Sequence, residues 1–157
     1  MDGGDGGVRF EGRDGLTGML AEVWERCNAI EECYEFLLAY AAQGLPSDEG
    51  SQSGGQVRGF LEKAVNAMRG LPEAFAGAVR AEGLQPVSRY EAFLAVIERD
   101  ANDSLAALEM VLAQPGISSQ LIDNLNASIH LRALLTDLFL IGEILRGRVH
   151  AKPVVLS

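Results

Sequence analysis

The sequence predicts an all-α protein, an up-down-up-down antiparallel four-helix bundle, on three observations. Four stretches repeat apolar residues in alternating three- and four-residue steps, the spacing that lines one face of a helix. Loops carrying Gly and Pro separate these stretches, at Gly44-Leu45-Pro46, Gly83 to Pro86 and Gln114-Pro115-Gly116. No segment alternates apolar and polar residues for more than a few positions, so strands are not expected. The 157 residues suit one domain whose core needs neither disulfides nor structural metal.

Seven glycines fall within residues 1–18, too many for a helix, so residues 1–15 read as a flexible acidic arm. Helix A is expected over residues 16–43, with a seam of Leu16, Leu20, Val23, Cys27, Ile30, Tyr34, Leu37 and Ala41. A polar loop to Gly54 follows. Helix B, residues 56–82, steps through Val57, Leu61, Ala64, Met68, Leu71, Phe75 and Ala78. Pro72 interrupts that pattern without shifting its register, which predicts a kinked helix or two collinear pieces with the break at Gly70 and Leu71.

Helix C, residues 88–113, is expected to start at a capping box formed by Ser88 and Glu91. Its seam is Tyr90, Leu94, Ile97, Ala101, Leu105, Leu108 and Leu112. Helix D, residues 119–146, takes Ser118 or Ser119 as its cap. Up to His130 it carries one apolar stripe, but from Leu131 to Leu145 apolar residues surround it. Such a helix is covered on all sides, either as the central element or by another subunit. Residues 147–157 are basic and then apolar and read as an extended tail, which either docks on an acidic face of its own chain or a neighbour's or waves free in solvent, the commoner behaviour of a terminus.

The net charge of −9 is concentrated at one end of the chain: −8 up to Gly54 and −1 from Gly55 onward. A chain with this balance lacks the clustered cations that nucleic acid or an anionic membrane would attract. The start of the sequence has neither the basic nor the apolar region of a signal peptide, and no run is long and apolar enough to span a bilayer, so the expectation is a cytoplasmic protein. Cys27 and Cys33, six residues apart on one helix, point to different faces and are expected as reduced, buried thiols.

Four-helix bundles can hold paired metals with inward Glu residues and Glu-x-x-His pairs. Here the seam of helix A is closed to Glu, and no Glu-x-x-His occurs. Glu31-Glu32-Cys33-Tyr34-Glu35 resembles the first half of the magnesium motif of all-α nucleotide pyrophosphohydrolases, but the Glu-x-x-Asp of that family is missing from the next helix. Asp100 and Asp103, one turn apart, leave room for a magnesium site elsewhere. Asp123, Asn126, His130 and Asp137 fall on one stripe of helix D, either a buried polar seam or a site with His130 as base. His130-Leu131-Arg132 with Leu135-Thr136 is similar to the phospho-accepting helix of histidine-kinase dimerisation domains, but the register puts Ile129 in the place of the accepting His. That offset turns the imidazole about 100° round the helix.

These features predict a non-catalytic protein-interaction module, an adaptor, assembly factor or regulator, with no cofactor. The expected contacts are an acidic helix A surface (Glu25, Glu32, Glu35) meeting a basic partner, and the apolar face of helix D with the tail (Phe139, Arg148, Val154, Leu156), where a homodimer is also expected. The alternative is a carboxylate-rich magnesium, manganese or di-metal enzyme using Glu31, Glu35, Asp100, Asp103 or His130.

Overall fold

The computed structural model describes residues 18–150, so the arm at 1–15, the first seam residue Leu16 and the tail from 151 onward lie outside the described residues. Six α-helices follow one another: α1 Gly18–Ala42, α2 Gln52–Met68, α3 Leu71–Ala81, α4 Val87–Leu112, α5 Ser119–Ala127 and α6 His130–His150. No strand occurs among the described residues. The helices are packed as a bundle. α1 lies against α2, α3, α5 and α6, while α4 packs on α2, α3 and α6.

Every described seam residue of helix B is buried, and so are Leu20, Val23, Cys27, Ile30 and Leu37 on α1 and Tyr90, Leu94, Ile97, Ala101 and Leu108 on α4. Burying apolar area at these repeats, roughly 25 cal/mol per Å², is what drives the helices together. Trp24, Cys33 and Tyr40 broaden the buried face of α1 beyond the seam.

Helix B is two helices, as the interruption at Pro72 suggests. Gly70 takes φ +78°, a left-handed conformation that costs glycine little, and Pro72 sits in the first turn of α3. Arg26 closes the break from outside. Its guanidinium donates to the carbonyls of Asn66 (3.3 Å), Ala67 (3.1 Å) and Arg69 (2.6 Å) and to Glu22 (3.0 Å), so the free carbonyls ending α2 meet a cation.

α2 starts four residues earlier than the sequence predicts, at Gln52, because Ser51 Oγ accepts from Gly54 N–H and caps the helix. A Cβ at Gly54 would lie 2.2 Å from the Asp48 carbonyl oxygen, so only glycine fits there. α3 ends in a Schellman motif in which Gly83 N–H donates to Arg80 and Leu84 N–H to Val79.

Three expectations are corrected. The Ser88 capping box is not formed: α4 opens at Val87 after Pro86, with no side-chain cap, and Ser88 lies within the helix. Helix D is not continuous, since α5 ends at Ala127 and α6 begins at His130. Between them, Ser128 Oγ donates to the Leu125 carbonyl and Ile129 turns to φ +66°. The residues 147–150, expected in an extended tail, are the last turn of α6. Ser118 does cap α5, accepting from Leu121 N–H at 3.0 Å.

Candidate interaction site

The first turns of α4 and the last turns of α6 run side by side and leave an open groove of about 300 Å³. Pro86, Tyr90 and Phe93 form one wall and Leu140, Ile141 and Ile144 the other, with Arg89 and Arg148 at the rim. Leu140 and Ile144 stand one turn apart and are 54% and 45% exposed, whereas Leu138, Ile141 and Leu145 on the inner face of the same helix are buried. An all-round apolar helix with one face in the core must present apolar residues on the other. Adjacency sets this pair apart from a single exposed residue such as Met110.

Arg148 is held by the fold. Its Nη2 donates to the Gln85 carbonyl at 3.0 Å, tying the last turns of α6 to the segment that leads into α4. Arg89 is exposed, and its guanidinium makes no hydrogen bond or ion pair with another described residue. Phe139, a contact residue expected from the sequence, is half-buried and packed against the core, and it does not line the groove. The exposed apolar positions are the next residue, Leu140, and Ile144. Their four-residue spacing within the apolar stretch is the signal that identifies them, once the core-facing positions are assigned. Val154 and Leu156 lie outside the described residues.

On α1, Glu25, Glu32 and Glu35 are exposed and form an acidic outer surface. Glu31 corrects the expectation that helix A carboxylates stay out of the interior: it is only 6% exposed, among the buried residues of that helix. Its charge adds to the burial that raises the Cys27 thiol far above the usual range. Burial pushes Cys33 up to about 12. Both thiols are free and buried, and so held in the unreactive protonated form.

The candidate metal ligands are not brought together. Glu35, Asp103 and His130 are exposed, Asp100 is half-buried, and no group of three His, Cys, Asp or Glu with metal-binding geometry occurs among the described residues. The polar stripe predicted along helix D is cut by the break at Ser128 and Ile129. Asp123 and His130 are exposed on separate helices, and Asn126 is half-buried, its Nδ2 donating to the Leu37 carbonyl at 3.3 Å. Asp137 instead meets Asp100 across the α4–α6 interface. Burial first, then the adjacent Asp100 carboxyl, push Asp137 up to about 7.

No helix among the described residues is long and apolar enough to cross a membrane. Comparison with models of protein families, with curated proteins and with solved structures gives no match.

Proposed function

We propose that this chain is a protein-interaction module whose docking face is the α4–α6 groove, and that its fold is a four-position up-down-up-down bundle with two positions filled by broken helices. What supports the topology is the sense of the contacts. Arg26 meets Arg69 while Phe36 stacks on Phe60, and Asp100 meets Asp137 while Arg148 reaches Gln85. In both pairs residue numbers rise on one helix as they fall on the other.

The observation that carries the functional reading is the exposed pair Leu140 and Ile144 on a groove rimmed by two arginines, on a molecule that is otherwise strongly acidic. Two antiparallel helices with an apolar furrow between them accept a third apolar element. The acidic α1 surface adds long-range attraction for a basic partner and makes that part of the association fall with salt.

The test compares the wild-type chain with a Leu140→Asp/Ile144→Asp variant as immobilised bait, after circular dichroism shows equal helicity. Proteins retained by the wild type are expected to be lost from the variant and kept by Glu25→Gln/Glu32→Gln/Glu35→Gln at high salt. Unchanged capture by the groove variant would overturn the reading.

A further inference from the structure

We infer that the α4–α6 groove takes an amphipathic helix of a partner protein, laid parallel to α6, with its carbonyl end and an acidic last turn at Arg89 and Arg148. The inference rests on the groove being the docking face and adds to that reading the chemistry of what docks.

The shape points to a helix. From Leu140 to Arg148 is about 12 Å along the α6 axis at 1.5 Å per residue, close to two helical turns. An open furrow of about 300 Å³ lies at the lower limit of small-molecule sites, which bury most of their ligand. It suits apolar side chains projecting from a helix at i, i+4 and i+7, with the rest of that helix left outside.

Charge fixes the direction. The groove walls are apolar, and its two cations, Arg89 and Arg148, stand where the start of α4 meets the end of α6. α4 opens there without a side-chain cap and without an acidic residue in its first turn, so its positive dipole end is not offset locally. Glu82 and Glu91 line other hollows, and Glu143 is paired with Arg146 at 3.1 Å. A chain of net charge −9 thus presents a positive end to its apolar furrow. The complement is an apolar segment ending in carboxylates.

The chain's own helix ends indicate the use of the rim. Arg26 donates to carbonyls ending α2, Arg58 to those ending α4, and Arg148 to the Gln85 carbonyl beyond α3. Placing a guanidinium on free carbonyls is thus how this fold closes its helix ends. The Arg89 guanidinium makes no hydrogen bond or ion pair with another described residue. The last four carbonyls of an incoming helix need donors once covered. Arg89 supplies them, while a carboxylate of the same turn pairs with either arginine.

The test titrates the full chain into a fluorescein-labelled helical peptide of about four turns, with leucines at i, i+4 and i+7 and glutamates in its last turn, and reads fluorescence anisotropy. Two counterparts carry the glutamates in the first turn instead, or lysines in the last turn. The acid-ended peptide is expected to bind about tenfold more tightly than either. Arg89→Ala is expected to weaken it about three- to tenfold without weakening the lysine-ended peptide, and Arg89→Glu to reverse the preference. Circular dichroism checks that both variants keep the fold. Leu140→Asp/Ile144→Asp is expected to abolish binding. Equal affinity for the three peptides, or no change with Arg89→Glu, overturns the inference. Decanoate that displaces the peptide at equal concentration also overturns it, assigning the groove to a small amphiphile. So does a chain that sediments as a dimer until Leu140→Asp/Ile144→Asp makes it a monomer, which assigns the groove to a second copy. If captured proteins are lost from Leu140→Asp/Ile144→Asp but kept by Arg89→Glu, the docking face stands and the acidic helix falls. If Leu140→Asp/Ile144→Asp loses neither captured proteins nor peptide, the docking face falls and the inference with it.

Discussion

Arg58 and Asp48 form an ion pair, Nε to Oδ2 at 2.8 Å, that ties the loop after α1 to α2. The same guanidinium donates to the carbonyls of Leu112 (3.0 Å) and Gln114 (2.8 Å), and Asp48 Oδ1 accepts from Ile117 N–H at 2.8 Å. Next to it, Tyr40 O–H donates to the Ile117 carbonyl, and Ser119 Oγ donates to the Tyr40 carbonyl. One cation thus neutralises the open carbonyl end of a long helix, and one anion orders the loop that enters α5.

Removing either partner leaves more than a broken pair. Arg58→Ala strands two carbonyls and a carboxylate that is mostly buried, and Asp48→Ala strands the Ile117 N–H. Each should cost about 2 kcal/mol, the usual scale for a hydrogen bond to a charged group. Asp48→Asn keeps an acceptor for Ile117 and should cost less. Urea denaturation of the double-mutant cycle measures the coupling, expected near 1 kcal/mol or above. A coupling indistinguishable from zero would show the pair to be incidental.

Ile129 sits at φ +66° and is 56% exposed. A β-branched residue in that conformation is strained, on the order of 1–2 kcal/mol, and here little burial offsets it. Ile129→Gly should therefore raise stability by about 0.5–1 kcal/mol after the extra freedom of glycine in the unfolded chain is subtracted. The midpoint of urea unfolding reads this directly. A lower midpoint would mean that the isoleucine side chain contributes packing that outweighs its strain.

That residue also marks where the sequence is hard to read. The break in helix B is legible because Gly70 and Pro72 impose it chemically. The break in helix D has no glycine or proline, and the apolar stripe of Ile122, Leu125 and Ile129 runs smoothly up to it. Tertiary contacts decide it instead, through the anchoring of α5 on α1 by Asn126 and Ser119. The same limit governs Ser88 and Glu91, where the residue pattern of a capping box is present but the helix has already begun at Val87. The groove was half legible: the apolar surplus on helix D is visible as composition, but which residues stay exposed depends on where α4 lies. Glu31 leaves no mark in the apolar periodicity, because a carboxylate that shares the buried face adds nothing to the apolar repeat.

Since Glu31, Glu35, Asp100, Asp103 and His130 do not converge, magnesium or manganese at millimolar concentration is expected to leave the thermal unfolding midpoint unchanged beyond the general effect of ionic strength. Matched titrations with calcium and with sodium chloride at equal ionic strength provide the reference. A stabilisation of several degrees specific to one metal would restore the carboxylate-enzyme alternative, because preferential binding to the folded state raises stability by mass action.

Asp137 makes stability depend on pH in the opposite direction to most carboxylates. Its Oδ2 is buried without a hydrogen-bond donor, and the group beside it is the Asp100 carboxyl. Two carboxylates in contact attract only when one of them holds a proton, so the fold favours the protonated pair. Asp137 is raised from 3.8 to about 7, so the stabilisation is full below the unfolded value near pH 4. It is lost progressively as pH rises through about 7. Asp48 has the reverse sign: the Ile117 N–H, then Arg58, hold it below the usual range, and its contribution is lost on acidification below pH 4. The chain should therefore be more stable at pH 5 than at pH 8. Asp137→Asn, which can donate to Asp100 without titrating, should remove most of that difference by stabilising the protein chiefly at pH 8. Guanidinium denaturation at the two pH values decides it. A wild-type chain equally stable at both, or a variant that keeps the full difference, would show that the Asp100–Asp137 contact does not govern the α4–α6 interface.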